Sequence, residues 1–165
     1  MGASTRNVSP TFGFRIHTLP HANCQLHLWD IGGQRGIRAY WRNYFEETDG
    51  LVFVIDAAAP WRFEEALGEL TVLLGQDRLA NASVLLLANK QDCPEAVAAE
   101  EIRKGLGLDA VLGGDGRTHW KLLGCSAIAG ENVDEGLNWL VNDICTRLYH
   151  HRPVSRMTAD VNMDR

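Results

Sequence analysis

Lysine is scarce in this chain, with three in 165 residues, at Lys90, Lys104 and Lys121. None of them completes the Gly-x-x-x-x-Gly-Lys-Ser/Thr pattern whose backbone amides cradle phosphates, so that loop is missing from the sequence. There is no basic surplus either: 16 Lys and Arg against 21 Asp and Glu leave a net charge of −5, without the electrostatic footprint of a dedicated nucleic-acid binder. The four cysteines, Cys24, Cys93, Cys125 and Cys145, show no paired spacing that suggests zinc. A chain this size needs no disulfide staples, and the simplest reading is reduced thiols in a cytosolic protein. No apolar run is long enough to span a membrane, and no secretory core opens the chain. Met1-Gly2-Ala3-Ser4-Thr5-Arg6 has Arg6 where a myristoylation signal wants Ser or Thr, which argues against the lipid. There are no internal repeats.

What is present is the composition of one globular domain, 45% apolar and 22% charged, long enough to bury a core. Phe12, Phe14, Ile16 and Thr18 alternate with Gly13, Arg15 and His17 at strand spacing. Leu19 to Gln25 reads as a turn, and Leu26 and Leu28 continue into a second strand, so 12–30 is expected to be a hairpin. Residues 36–47 read as a short helix with Tyr40, Trp41, Tyr44 and Phe45. Leu51 to Ile55 and Val84 to Ala88 are continuous apolar runs, as strands covered on both faces require. Trp120 to Cys125 offers a third inner strand. Helices are expected near 61–75, 95–106 and 132–149, the first and last with apolar residues every three or four positions. The pattern predicts an α/β domain over residues 1–150, built on a mostly parallel sheet with flanking helices, followed by a polar tail at 151–165.

Ligands of such sheets bind beyond the carboxyl ends of the strands, so the polar residues where an apolar run stops matter most. Asn89-Lys90-Gln91-Asp92 is the most specific of these. A carboxylate fixed at Asp92 can accept the two parallel hydrogen bonds that guanine offers and adenine does not. The Asn89 amide can meet the rest of the base edge while the Lys90 stem lies along the base plane. Asn and Asp also cap ordinary turns. However, Asn-Lys-x-Asp is expected by chance only about 0.02 times in a chain of this length, which favours the base-binding reading. Asp30-x-x-Gly33 is weaker, arising by chance in roughly every second such chain. Its functional reading has Asp30 hold Mg²⁺ through water, Gly33 bring its amide to a terminal phosphate, and Gln34 orient an attacking water. Its plain alternative is a glycine-rich turn leaving a hairpin. Thr11 could offer a hydroxyl to the same metal, or be an ordinary strand-edge threonine. Cys125-Ser126-Ala127 could present a backbone N–H to the base carbonyl.

Ser-Pro-Thr-x-Gly-Phe, Trp-Asp-x-Gly-Gly-Gln, Asn-Lys-x-Asp and Cys-Ser-Ala occur in that order. In this the chain resembles the Arf-like small GTPases over about residues 8–150, including Tyr40 to Phe45 and Gly130-Glu131-Asn132. Within that family it is most similar to the branch that serves tubulin folding and the traffic of lipidated cargo to cilia. The resemblance implies the following expectations. The fold is Ras-like, and the chain is a GTP-binding switch using GTP/GDP and Mg²⁺. Gln34 is catalytic, Thr11 and Asp30 serve the metal, and Gly33, Asn89, Lys90, Asp92, Ser126 and Ala127 bind nucleotide. An effector patch is formed by Phe14, Trp29 and Tyr44, which on their own read as core or hairpin packing. Expected partners are effectors, an exchange factor and an activating protein, with a tubulin-folding cofactor or lipid-binding cargo carriers among the candidates. A cytoplasmic monomer is expected, associated with the cytoskeleton or the cilium, and hydrolysing slowly without its activator.

The resemblance also implies a first strand and phosphate loop that this sequence does not contain. Gly113 to Thr118 has Gly-Arg-Thr in place of Gly-Lys-Thr, but Val111 stands where the first glycine belongs, so it reads as a glycine-rich connection. The missing strand would lie between those matching 26–30 and 51–55, leaving two edges without backbone partners. Charge-assisted hydrogen bonds contribute roughly 1.5–3 kcal/mol each, so losing three would weaken nucleotide binding by about three to six orders of magnitude. Two alternatives stand. The chain is a GTPase of this family written short of its true start, or it is a genuine short product acting as a non-catalytic interaction module. Hydrolysis by these 165 residues alone is not expected.

Overall fold

The computed structural model describes residues 9–21, 24–46, 48–113 and 118–148. The myristoylation-like start, the centre of the expected 19–25 turn, most of the glycine-rich 113–118 connection and the polar tail lie outside these residues. The described residues fall into two compact units, one within 1–46 and one within 47–150.

The first unit is a hairpin followed by a short helix. Strands β1 (Phe14–His21) and β2 (Cys24–Ile31) pair antiparallel, in register from Phe14 opposite Ile31 to His21 opposite Cys24. The strands therefore run further than expected, and Leu19, Pro20, His21 and Gln25 belong to them rather than to a turn. Pro20 is tolerated because β1 lies at the edge of a two-stranded sheet, where a missing N–H need not cost a ladder bond. The helix expected at 36–47 is two pieces, α1 (Arg35–Arg38) and a 3₁₀ turn at Trp41–Tyr44.

The second unit is a parallel sheet of β3 (Gly50–Asp56), β4 (Ser83–Asn89) and β5 (Trp120–Gly124), in the order β3-β4-β5. Its helices are α2 (Phe63–Leu74), α3 (Ala99–Gly105), α4 (Leu108–Gly113) and α5 (Val133–Leu148). The α/β architecture with a parallel sheet and flanking helices is the one the sequence pattern predicts.

Strand β4 is the centre of this unit, buried from Ser83 to Ala88. Its side chains divide by the two-residue period of a strand. Val84 and Leu86 pack with Leu70, Leu108 and Leu112, and Ala88 packs with Ile55, Ala57 and Ile102. Leu85 and Leu87 point the other way, to Cys125 and Leu140, with Val133, Trp139 and Ile144 around them. On that side α5 comes close because Gly136 has no side chain: a Cβ there would sit 3.1 Å from Leu85 and 3.2 Å from Leu87.

Two expectations are corrected. Among the described residues Leu51 to Ile55 is not covered on both faces, since β3 pairs only with β4 and Val52 and Val54 are exposed. The third inner strand expected over Trp120 to Cys125 is β5 (Trp120–Gly124), which among the described residues pairs only with β4 and so lies at an edge. Both runs are as apolar as β4, so hydrophobicity alone did not separate edge from centre. The helix near 95–106 begins only at Ala99, and α4 was not foreseen.

A polar network ties the start of β4 to α5. The Ser83 hydroxyl donates to Asp143 at 2.6 Å, Arg147 Nε donates to the same carboxylate at 2.9 Å, and His119 Nδ1 lies 3.2 Å from its other oxygen. Arg147 also reaches the Ser83 hydroxyl and the Asn81 carbonyl. Burial pushes the Asp143 carboxyl upward, but the hydrogen bonds from Ser83, Arg147 and His119 outweigh it and hold it below its ordinary 3.8. A carboxyl lowered in the folded state contributes stability above its unfolded value and loses it as pH falls through the folded one. Acid unfolding should therefore show a limb starting near the ordinary value of 3.8 and running below it. Asp143→Asn should flatten that limb and cost about 1–2 kcal/mol at neutral pH in urea denaturation.

Candidate functional site

In the 47–150 unit, three strands end in polar residues on the same side of the sheet. The parallel register sets Asp56 beside Asn89, and Ala88 beside Gly124, so the segments leaving β3, β4 and β5 are neighbours. Lys90 leaves β4 with a left-handed backbone, φ 73°, which turns the chain sharply after the strand. Gln91 then anchors the turn: its backbone N–H donates to the Cys125 carbonyl at 3.0 Å, and its side-chain amide donates to the carbonyls of Val97 and Ala88.

Two hydrogen bonds brace the β4 end against the β5 end. The Ser126 hydroxyl donates to Asp92 Oδ1 at 2.6 Å, and the Ala127 N–H donates to Asn89 Oδ1 at 2.9 Å. Ser126 is wholly buried and also accepts from the Ala129 N–H at 3.1 Å. Asp92 is exposed and Asn89 is half-buried. A carboxylate held this way keeps acceptor capacity for a paired donor edge. The Asn89 amide, its oxygen bound, still has its NH₂ to donate. Asn132, also left-handed at φ 59°, supports the same corner by donating to the Gly124 carbonyl at 2.8 Å.

Lys90 Nζ is held by Asp56 at 2.6 Å, which is the main cause of its raised pKa. Asp56 in turn accepts from the Ala58 N–H. Asp56 was not singled out from the sequence, though it stands where an apolar run stops, the signal that marked Asn89. The structure thus brings Asn89, Lys90, Asp92, Ser126 and Ala127 together, with Asp56, Gln91 and Asn132 supporting them.

In the 1–46 unit, the Thr11 hydroxyl donates to Asp30 Oδ2 at 2.8 Å, so the two residues expected at a metal are adjacent. Both are hard oxygen donors, and the set is small, which suits an ion that keeps most of its shell as water and phosphate. The pair therefore fits Mg²⁺. Among the described residues no cluster of three or more His, Cys, Asp or Glu could hold a metal by itself.

Of the two glycines that follow, Gly32 is the one packing requires. A Cβ there would collide with the Thr11 carbonyl and lie 2.8 Å from Gln34 Oε1, whereas a Cβ at Gly33 would meet nothing within 4 Å. The Gly32 carbonyl accepts from the Trp41 indole, and the Gly33 carbonyl accepts from Arg38 Nε. Gln34 is half-buried, and its Oε1 is buried without a hydrogen-bond partner. Phe14, Trp29 and Tyr44 form one ring cluster, with centroids 5.3–5.6 Å apart. Phe14 is 46% and Trp29 49% exposed, so the cluster is a surface feature as well as hairpin packing.

The pattern that defines the ADP-ribosylation factor family matches residues 2–144. The chain is 49% identical to the ADP-ribosylation factor-like protein 2 of Arabidopsis thaliana over 148 residues, which is 90% of this chain and 78% of that protein. The Drosophila melanogaster and Dictyostelium discoideum proteins of the same name are 45% and 42% identical over the same shares. The chain belongs to the ADP-ribosylation factor family. Its fold matches the Arl6 BBS3 small GTPase from Trypanosoma brucei, solved with the nucleotide analogue GppNp. The TM-score is 0.79 at 22% identity, covering 86% of this chain and 85% of that one. The fold is thus that of a small GTPase, and the family is one of GTP-binding switch proteins.

For this family member the two glycines should separate cleanly on substitution. Gly32→Ala should lower the thermal midpoint and speed amide exchange across β1 and β2. Gly33→Ala should leave stability within about 0.5 kcal/mol. Differential scanning calorimetry with hydrogen exchange would check both.

Proposed function

We propose that the chain is a guanine-specific GTP-binding switch of the Arf-like kind, with effector binding through its hairpin. The observation that carries this reading is the double brace, Ser126 to Asp92 and Ala127 to Asn89. It presents a carboxylate and an amide donor at fixed positions before any ligand arrives. Such a site rejects adenine because a base stacked over Asn89 and Asp92 takes them out of water, and the wrong edge then leaves them unpaired.

In this reading Asp92 accepts from the base, Asn89 donates to it, and Lys90 lies along its plane, with Ser126 and Ala127 holding the first two. Thr11 and Asp30 would hold Mg²⁺, whose part is to neutralise phosphate charge. The Gly33 amide faces a terminal phosphate, and Gln34 orients water. The unpartnered Gln34 Oε1 supports that last role, since a buried acceptor calls for a donor. Phe14, Trp29 and Tyr44 form the effector patch, favoured by the exposure of Phe14 and Trp29. The branch linked to tubulin folding and lipidated cargo, which the sequence resembles, is the proposed source of partners. The cytoplasmic, cytoskeletal or ciliary location rests on the same resemblance.

A second reading is favoured by one observation: none of the three lysines sits in a phosphate loop. In it these 165 residues act as an interaction module that displays the aromatic cluster without turning nucleotide over.

Titration of the full chain with fluorescent GDP and GTP, with and without Mg²⁺ and against an ATP analogue, tests the proposal. Expected is guanine-selective binding that Asp92→Ala weakens by at least about tenfold, the loss of one charge-assisted contact. Tight, Mg²⁺-dependent binding would mean that the phosphates are gripped as well. A folded protein that binds neither nucleotide leaves the interaction module.

A further inference from the structure

The turn that follows β2 is held by its carbonyls. Gly32, Gly33 and Gln34 are consecutive, and each C=O accepts from the segment just after it. The Trp41 indole N–H donates to the Gly32 carbonyl at 3.0 Å, and Arg38 Nε donates to the Gly33 carbonyl at 2.8 Å. The Gln34 carbonyl accepts from the Ile37 and Arg38 N–H groups at 2.8 and 3.2 Å. On the other side, the Gly32 N–H donates to the carbonyl of Gly13, the residue before β1, at 2.9 Å.

The bonds to Gln34 are the ordinary opening of a helix. The two side-chain bonds are not, and both fall on glycines. Glycine adopts either sign of φ at little steric cost, so a Gly-Gly peptide left unheld can turn over. A peptide unit is planar and trans, so its C=O and N–H point in opposite directions. The Gly32 carbonyl and the Gly33 N–H belong to one such unit. Holding that carbonyl on the Trp41 indole therefore fixes the direction of the Gly33 N–H, away from the indole. In the same way Arg38, through the Gly33 carbonyl, fixes the Gln34 N–H. Gly33 is exposed, and a Cβ there would meet nothing within 4 Å, so the space beside this backbone is open to a ligand.

We propose that Trp41 and Arg38 are positioning residues for the turn. Trp41 aims the Gly33 N–H at a terminal phosphate, and Arg38 sets the backbone from which the Gln34 side chain reaches water. The inference rests on the reading of Gly33 and Gln34 given above. Both residues act through the backbone, not on the nucleotide. A flipped Gly32-Gly33 peptide would turn a carbonyl oxygen toward the phosphate, where a donor is needed. GDP lacks the third phosphate, so the lock acts on the preference for GTP over GDP and not on recognition of the base.

Amide NMR relaxation of the full chain, free of nucleotide, tests the lock directly. The Gly33 amide should be rigid in the unaltered chain, with an order parameter of about 0.85, and fall below about 0.6 in Trp41→Phe, which keeps a ring but has no N–H to donate. Arg38→Lys keeps the charge and loses the Nε, and it should loosen the Gln34 amide while leaving Gly33 rigid. Titration with GTP and with GDP in Mg²⁺ tests the use of the lock. Trp41→Phe should lower the preference for GTP over GDP by about threefold to tenfold, the scale of one hydrogen bond. A residue that merely stabilised the hairpin would leave that ratio unmoved. The unaltered chain and Arg38→Lys decide the matter even where Trp41→Phe fails to fold. A Gly33 amide that is mobile in the unaltered chain, one as rigid in Trp41→Phe, or a loosened amide with an unchanged nucleotide ratio would each overturn the proposal. Binding of neither nucleotide would remove the switch reading instead, and the relaxation data alone would then decide whether the two side chains hold the turn.

Discussion

The complete burial of β4 is the constraint on which the 47–150 unit depends. A strand covered on both faces can satisfy its backbone only through ladders on both sides, and here both ladders are parallel. Parallel strands end at the same rim, so the ladder that stabilises the core also delivers Asp56, Asn89 and the Cys125-Ser126 segment to one place. The chemistry at that rim is a consequence of the core, through the shared direction of three strands.

What the rim adds is rigidity. Asn89 and Asp92 belong to one connection, Ser126 and Ala127 to another, and the two bonds between them lock both at once. The Lys90–Asp56 pair is half-exposed and contributes little to stability, but it fixes the lysine stem. The left-handed Lys90 belongs to the same logic: a strained backbone persists where Gln91, with its three hydrogen bonds, over-determines the turn.

The hairpin unit has a different economy. It has no strand buried on both faces, and its ring cluster serves two ends. Contacts among Phe14, Trp29 and Tyr44 stabilise the pairing of β1 and β2, while about half of the Phe14 and Trp29 surface remains in water. Exposed aromatic surface of this kind costs solvation and marks a place where another molecule can gain by covering it.

Much of this was legible in the residues. Alternation located the hairpin and a three-to-four-residue period the two long helices, because burial on one face imposes those periods directly, while continuous apolar runs located the strands of the parallel sheet. Asn-Lys-x-Asp was legible because its residue types suit one task, and its position after a buried run gave it a place. Other features were decided only by the tertiary structure. Leu51 to Ile55, Val84 to Ala88 and Trp120 to Gly124 look alike as strings, and only the order of the strands made the middle one central. Gly32 and Gly33 are indistinguishable in sequence, and only the carbonyl of Thr11, far back along the chain, shows which must be glycine. Asp56 acquired its role from Lys90, and Ser83 from Asp143, across separations of 34 and 60 residues. A sequence specifies what each residue can do locally. Which residues meet is set by the packing of the whole chain, because long-range neighbours carry no local signal of one another.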